Sequence, residues 1–191
     1  MAGTSARICE LIEENPLIAA VKDEGGLKEC LEGEISVVFV LYGDLLTIGG
    51  IVRRIKESGK CAVVHMDLIT GLGGKEIAVD YLKQTTALDG IISTKPALIR
   101  RAGELGIFSV LRCFMIDSMA FENLKKQVEN IRPDMVEILP GVMPKVLRQI
   151  TKALPVPVIA GGLIRDREDV MNALGAGATA ISTTRRDVWS L

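Results

Sequence analysis

Short apolar runs alternate with amphipathic segments along the whole chain. Most of the apolar runs are continuous stretches of Val, Ile, Leu and Ala, which is typical of parallel strands that are covered on both faces. The runs predict eight strands, at residues 16–22, 36–44, 61–69, 89–94, 107–117, 134–141, 155–163 and 178–184.

The segments between these strands have helical patterns. Helices are predicted at residues 74–86, 96–106, 117–134, 143–155 and 166–178. Pro96 suits the first turn of its helix, and Gly106 suits the position just beyond the end of that helix. Residues 23–33 predict only a weak helix, and only residues 185–191 remain for a helix after the last strand.

This repeat of strand and helix predicts an α/β fold, a compact TIM-type (β/α)8 barrel with a weak first helix and a truncated last helix. An open, doubly wound sheet of six or seven strands is the alternative that the repeat count leaves open. No linker or low-complexity segment divides the chain, so residues 1–191 are predicted to form a single domain.

Composition narrows the possible functions. The net charge is -1, so no overall field draws the chain to nucleic acid or to anionic membranes, and any nucleic-acid contact has to be a local patch. Four cysteines without a C-x-x-C pair, and one histidine, argue against a zinc site, and no metal or cofactor is predicted. No apolar stretch reaches the ~18 residues of a membrane span. A cytoplasmic protein with no membrane partner is expected.

Polar side chains interrupt the apolar runs near their carboxyl ends, where both candidate folds place their binding sites. These side chains are Asp44, His65, Asp67, Lys95, Arg112 and Glu137. We expect them to converge on a polar ligand. The alternative is a structural layer in which Lys95, Arg112 and Glu137 neutralise one another, because buried charges must be paired.

Two adjacent glycines, Gly161 and Gly162, follow the seventh apolar run, and Ser182 and Thr183 follow the eighth. In a barrel, the loops after these two strands commonly bind phosphate through backbone N–H groups, which a Cβ atom would obstruct. A phosphate site at these four residues is therefore predicted. A tight turn with positive φ is the alternative reason for a glycine here.

Two classes of function remain open at this point. His65, Asp67, Lys95 and Glu137 could supply acid–base or Schiff-base chemistry, which would suit a small TIM-barrel enzyme acting on a phosphorylated three-carbon substrate. No motif for a nucleophile, a metal or a nucleotide cofactor accompanies them, and no catalytic residue is assigned.

Several longer stretches resemble a known family. "HMDLITGL", "DGIISTKP", "RCFMIDS", "VEILPG", "IAGGLI" and "ATAISTT" occur in the order typical of the glycerol uptake operon antiterminators, the glycerol-3-phosphate-responsive regulators of bacterial glycerol metabolism. The resemblance implies a barrel that is a regulator rather than an enzyme. It also implies glycerol 3-phosphate as effector and a leader mRNA as partner, bound so that transcription continues past a terminator.

Carried over by position, the resemblance makes Gly161, Gly162, Ser182 and Thr183 the phosphate-binding residues, and the polar strand ends the candidates for the glycerol end. Leu111 departs from the family, in which a glutamine is expected before the arginine of the fifth strand. Candidates for RNA binding are two basic pairs, Arg185–Arg186 and Arg53–Arg54. A truncated last helix would also expose apolar surface near the termini, which indicates a possible homodimer.

Overall fold

The computed structural model describes residues 3–191 and shows a closed barrel of eight parallel strands. The strands are β1 (Leu17–Val21), β2 (Val37–Val40), β3 (Cys61–His65), β4 (Gly90–Ser93), β5 (Phe108–Phe114), β6 (Met135–Leu139), β7 (Val158–Gly161) and β8 (Ala180–Thr183). Each strand pairs with the next one in the chain, and β8 pairs with β1. The predicted TIM-type barrel is confirmed, and the open sheet is wrong.

Eight α-helices lie within the described residues. They are α1 (Thr4–Glu14), α2 (Glu24–Glu32), α3 (Ile48–Glu57), α4 (Ile77–Thr85), α5 (Pro96–Glu104), α6 (Ser118–Ile131), α7 (Pro144–Ala153) and α8 (Arg167–Gly175). Helices α2 to α8 follow β1 to β7, and only a 3₁₀ turn at Arg186–Val188 follows β8, as the truncated last helix predicts. Within residues 3–191 no helix is both long and apolar enough to cross a bilayer.

Helix α1 precedes the first strand and was missed in the sequence prediction. Ile8 and Ile12 lie one helical turn apart, are fully buried, and pack among the side chains inside the barrel. Burial and the negative charge of Asp134, just before β6, raise the pKa of the Cys9 thiol. Cys9 on this helix is therefore close to Asp134, and the helix lies near the amino ends of the strands. It therefore closes the end of the barrel opposite the predicted site. The spacing of its isoleucines was the available signal.

The weak pattern of α2 has a packing cause. A Cβ atom on Gly25 would lie 3.1 Å from Nη2 of Arg186. The Arg186 guanidinium pairs with Asp23 at 2.9 Å and with Glu29 at 3.3 Å. The glycines of α2 thus leave room for the C-terminal segment, which occupies the place of an eighth outer helix. The cap by Asp23, which accepts a hydrogen bond from Gly26 N–H at 2.7 Å, completes this short helix.

Apolar side chains form two cores, one inside the barrel and one between the strands and the helices. Phe108 and Val110 of β5 belong to the inner core, while Leu111, the next residue along the strand, belongs to the outer core. Alternation along a strand decides which core a residue joins. The inward set continues past Val110 to Arg112, and this brings charged residues to the carboxyl end of the barrel.

Candidate ligand site

A cavity of about 260 Å³ lies at the carboxyl end of the barrel, on the side of β5 to β8, β1 and β2. Its polar lining consists of Arg112, Glu137, Arg165, Ser182, Thr183, Thr184 and Arg185. Its apolar lining includes Ala20, Phe39, Leu41 and Leu139. Pockets for drug-sized ligands have volumes of roughly 300–1,000 Å³, so this cavity suits a smaller molecule.

Glu137 is the most deeply buried charged group of the cavity, with a relative exposure of 2%. The Ser182 hydroxyl donates a hydrogen bond to its Oε1. A Cβ atom on Gly161 would lie 2.5 Å from that Oε1 and 2.6 Å from Ser182 Oγ. The missing side chain of Gly161 therefore makes room for a carboxylate–hydroxyl pair that reaches in from the strands on either side.

Arg112 gives Glu137 a neighbouring positive charge. Its Nε lies 3.5 Å from Glu137 Oε2, and its guanidinium lies 5.5 Å from the centre of the Phe114 ring. Burial raises the pKa of Glu137, against the opposing effects of the Arg112 charge and the Ser182 hydrogen bond. The pair is a charge contact, because neither Nε nor Oε2 makes a hydrogen bond within residues 3–191.

His65, the last residue of β3, is buried and does not line the cavity. Burial and the positive charge of Arg112 lower its pKa to about 4, so the ring is neutral at pH 7. The 4.0 Å separation between its Nδ1 and Asp67 Oδ2 is therefore not an ion pair at that pH.

We expect His65 to make the protein sensitive to acid. The unfolded chain takes up a proton on this ring near pH 6.5, but the folded chain does so only near pH 4, so stability falls as pH falls between these values. The loss corresponds to on the order of 3 kcal/mol. Urea unfolding of the wild type and of His65→Gln at pH 7 and pH 4.5 measures this loss of unfolding free energy. The other titrating groups are common to both proteins, so the difference between them belongs to His65. Equal pH dependence in the two proteins would contradict it.

Asp67 and Lys95 form a separate group at the ends of β3 and β4, outside the cavity lining. Asp67 accepts hydrogen bonds from Thr94 N–H at 2.8 Å and from the hydroxyls of Ser93 and Thr94, and Lys95 Nζ lies 3.5 Å away. Burial opposes the charge of Asp67, but these hydrogen bonds outweigh it and lower its pKa. This carboxylate joins two strand ends.

Asp44 also acts locally. Its carboxylate accepts hydrogen bonds from the N–H groups of Leu46 and Thr47 and from the Thr47 hydroxyl, each at 2.9 Å. These bonds, those of Thr47 above all, lower its pKa. The side chain orders the loop before α3 and does not line the cavity. Of the six polar strand-end residues, the structure brings only Arg112 and Glu137 into the cavity.

The loop after β7 has two consecutive left-handed residues, Gly162 with a φ of +74° and Leu163 with +63°. The positive φ accounts for Gly162, as the turn interpretation predicts. A left-handed leucine is uncommon, and such strain is concentrated at functional sites. The Thr183 hydroxyl holds this loop in place, donating to Ile164 O at 2.9 Å and accepting from Arg185 N–H at 3.1 Å.

Arg165 lines the cavity and was missed in the sequence prediction. Its side chain is exposed and forms no ion pair with any residue in the described part of the chain, while its N–H bonds to Asp169. With Arg112 and Arg185 it makes three arginines in the lining of one small cavity, an arrangement that suits an anionic ligand. Its position as the first cation after the two glycines was a readable signal.

The candidate RNA-binding arginines lie in three different environments. Arg185 is exposed at the cavity, with its guanidinium 3.0 Å from Asp187, whereas Arg186 is held against α2. Arg53 and Arg54 lie on the outer helix α3, outside the cavity lining, and Arg54 pairs with Glu24 at 2.6 Å. No cluster of three or more His, Cys, Asp or Glu side chains that could hold a metal ion is found among residues 3–191.

The fold and the site define a small TIM-type barrel with an arginine-rich cavity at the loops after β7 and β8. The chain belongs to the glycerol-3-phosphate responsive antiterminator family, whose profile matches residues 17–189. Leu111, where the family resemblance predicts a glutamine, is buried in the outer core and does not reach the cavity.

Three related proteins are similar over almost their full lengths. The protein named "Uncharacterized protein YgcP" of Escherichia coli K12 is 46% identical over 184 residues, which is 96% of each chain. The glycerol uptake operon antiterminator regulatory protein of Listeria monocytogenes is 31% identical, with a TM-score of 0.88 over 92% of this chain and 95% of that one. A glycerol uptake operon antiterminator-related protein of Thermotoga maritima is 38% identical, with a TM-score of 0.80 over 91% and 96%.

Proposed function

We propose that this protein is a glycerol-3-phosphate-responsive transcription antiterminator, and that the effector binds in the cavity above β5 to β8. One observation carries the proposal: three arginines and a buried carboxylate line a single cavity, of metabolite size, in a member of this family. Guanidinium groups bind a phosphate, and a carboxylate accepts hydrogen bonds from alcohol groups.

The residues around the cavity favour one orientation of the effector. Arg165, Thr184 and Arg185 lie in the loops after β7 and β8, as Gly162 does, and these groups suit the phosphate. Ser182 and Thr183 from the predicted phosphate set already bond to Glu137 and Ile164, so they support the site by holding its walls. Glu137 and Arg112 suit the glycerol end.

Arg165→Ala tests the phosphate end. Hydrogen bonds to charged groups contribute roughly 1.5–3 kcal/mol, so we expect the variant to bind glycerol 3-phosphate about 10-fold or more weakly in calorimetric titration. Arg167→Ala is the matched control, since it removes the same charge two residues away, on an exposed side chain that does not line the cavity. Equal effects of the two substitutions, or no binding by the wild type, would contradict the proposal.

The alternative function, a small enzyme acting on a phosphorylated three-carbon substrate, is tested in the same samples. Phosphorus NMR of glycerol 3-phosphate incubated with the protein, with and without Mg²⁺, should show no new signal. A product that accumulates in proportion to the protein concentration would contradict the proposal that the protein is a regulator.

The RNA partner of this regulator is the leader mRNA of a glycerol-metabolism operon, which places its action in the cytoplasm. Arg185 is our candidate for the residue that links effector and RNA, because it is exposed and lines the cavity. Arg186 is a weaker candidate, since its guanidinium is bound to Asp23 and Glu29, and Arg53 is a candidate for a separate contact.

A filter-binding titration with a leader transcript that carries its terminator, at one fixed salt concentration, tests the RNA step. We expect glycerol 3-phosphate to tighten RNA binding by about 5–150-fold, the usual range of coupling between two sites. Arg185→Ala should reduce this dependence on the effector, and Arg53→Ala should leave it unchanged. An RNA affinity of the wild type that does not change when glycerol 3-phosphate is added would contradict the proposal.

A homodimer is a further part of the proposal. Met171 of α8 and Leu191 are more than half exposed and line a groove formed by α8 and the C-terminal residues. Apolar surface of this kind often marks an interface. Sedimentation velocity at micromolar concentration should give a dimer, and a single species of monomer mass would contradict it.

A further inference from the structure

A donor and an acceptor stand side by side in the cavity wall without partners. Within residues 3–191, Arg112 Nε and Glu137 Oε2 are buried and make no hydrogen bond, although they lie 3.5 Å apart. Nε–H can only donate, and an oxygen of an ionised carboxylate can only accept. Most buried polar groups are hydrogen-bonded, so an unpaired donor and acceptor at one place indicate a ligand group that serves both.

Both side chains are held in position by other contacts. The second carboxylate oxygen of Glu137 receives the Ser182 hydroxyl, and the backbone of Gly161 lies directly against this pair. The Arg112 guanidinium lies over the Phe114 ring. With these contacts made, Nε and Oε2 lie 3.5 Å apart. The two atoms are therefore presented as a fixed pair.

An alcohol is the group that matches this pair. A hydroxyl accepts one hydrogen bond through a lone pair and donates one through its proton, whereas a carbonyl or an ether oxygen only accepts. We propose that Arg112 and Glu137 form a hydroxyl-recognition site, which selects small phosphorylated alcohols over analogues that lack the hydroxyl facing the pair. This inference rests on the proposed effector site and specifies which part of the ligand the site recognises.

A ligand without the hydroxyl leaves both charged atoms desolvated and unpaired. Sites built to bond a hydroxyl reject the analogue lacking it strongly, by as much as about 10⁵-fold in enzymes. A single hydrogen bond to a charged group sets the lower end, about 10-fold. Selectivity, rather than affinity alone, is therefore the property that this pair controls.

The experiment compares three ligands by calorimetry: glycerol 3-phosphate, 3-hydroxypropyl phosphate, which lacks the secondary hydroxyl, and 2-hydroxypropyl phosphate, which lacks the terminal one. We expect one of the two analogues to bind the wild type at least about 10-fold more weakly than glycerol 3-phosphate. Glu137→Gln should then weaken glycerol 3-phosphate at least 5-fold more than it weakens that analogue. Glu168→Gln, the same change on an exposed side chain outside the cavity, should weaken neither.

The outcomes separate this inference from the proposed function. No binding of any of the three phosphates by the wild type overturns the effector site itself. Equal binding of all three overturns the hydroxyl site and leaves the effector site standing, and this comparison needs no variant that might misfold. A Glu137→Gln variant that weakens all ligands equally also overturns it, because a purely structural residue would act in that way.

Discussion

Gly161→Ala should destabilise the barrel by about 3 kcal/mol and abolish effector binding. The new methyl group would lie 2.5 Å from Glu137 Oε1 and 2.6 Å from Ser182 Oγ, distances at which the atoms must move apart. The bond between Glu137 and Ser182 would break, and the carboxylate would shift within the cavity. Thermal unfolding and calorimetric titration with glycerol 3-phosphate measure the two effects.

Gly103→Ala is the matched control for this change. Gly103 is an exposed residue of α5, and a Cβ atom there has no neighbour within 4 Å. Alanine has the higher helix propensity, so the control should be stabilised by roughly 0.5–1 kcal/mol. A Gly161→Ala protein as stable as the control, with unchanged affinity, would show that Glu137 and Ser182 do not need the space beside Gly161.

Arg112→Met should destabilise the protein by about 3 kcal/mol at pH 8, because it leaves the Glu137 carboxylate buried without a neighbouring positive charge. Burial already raises the pKa of Glu137, and loss of the guanidinium should raise it further. A raised carboxyl pKa means that stability is lost as pH rises from the unfolded value, near 4.3, through the folded one. The free energy of unfolding of the variant should therefore be close to that of the wild type at pH 5 and much lower than that of the wild type at pH 8.

A second substitution identifies the charge as the cause. Glu137→Gln in the Arg112→Met background removes the unpaired carboxylate and keeps an acceptor for Ser182, so we expect it to recover most of the loss at pH 8. Urea unfolding at pH 5 and pH 8 of the wild type, the single variant and the double variant completes the test. A loss that does not depend on pH, or that the second change does not reverse, would assign the effect of Arg112 to packing.

The architecture was predictable because its signals are local. Eight apolar runs, a proline at the start of α5 and a glycine beyond its end each describe a few neighbouring residues, and the repeat of strand and helix leaves few possible folds. The two charged strand residues in the cavity lining were predictable for a related reason: Arg112 and Glu137 interrupt apolar strands, and buried charges need partners.

The partners themselves depended on distant parts of the chain. Parallel strands covered on both faces show no alternation of polar and apolar residues, so the sequence does not reveal which strand positions face inward. For that reason the sequence predicts the same role for Asp67 and Arg112, although Asp67 joins two strand ends and Arg112 lines the cavity. Arg185 and Arg186 read as one basic pair, but Asp23 and Glu29, far away in the sequence, bind only the second.

The sequence alone thus determined the barrel, the end at which its polar cavity lies and the family to which the chain belongs. The tertiary structure decided why Gly161 has no side chain: Glu137 and Ser182, from the strands on either side, meet in the space that a Cβ atom would fill. It also decided that Arg165 faces the same cavity as Arg112. Contacts of this kind form between residues that are far apart in the sequence and become neighbours only when the barrel closes. The spacing of these residues along the chain therefore does not reveal the contacts.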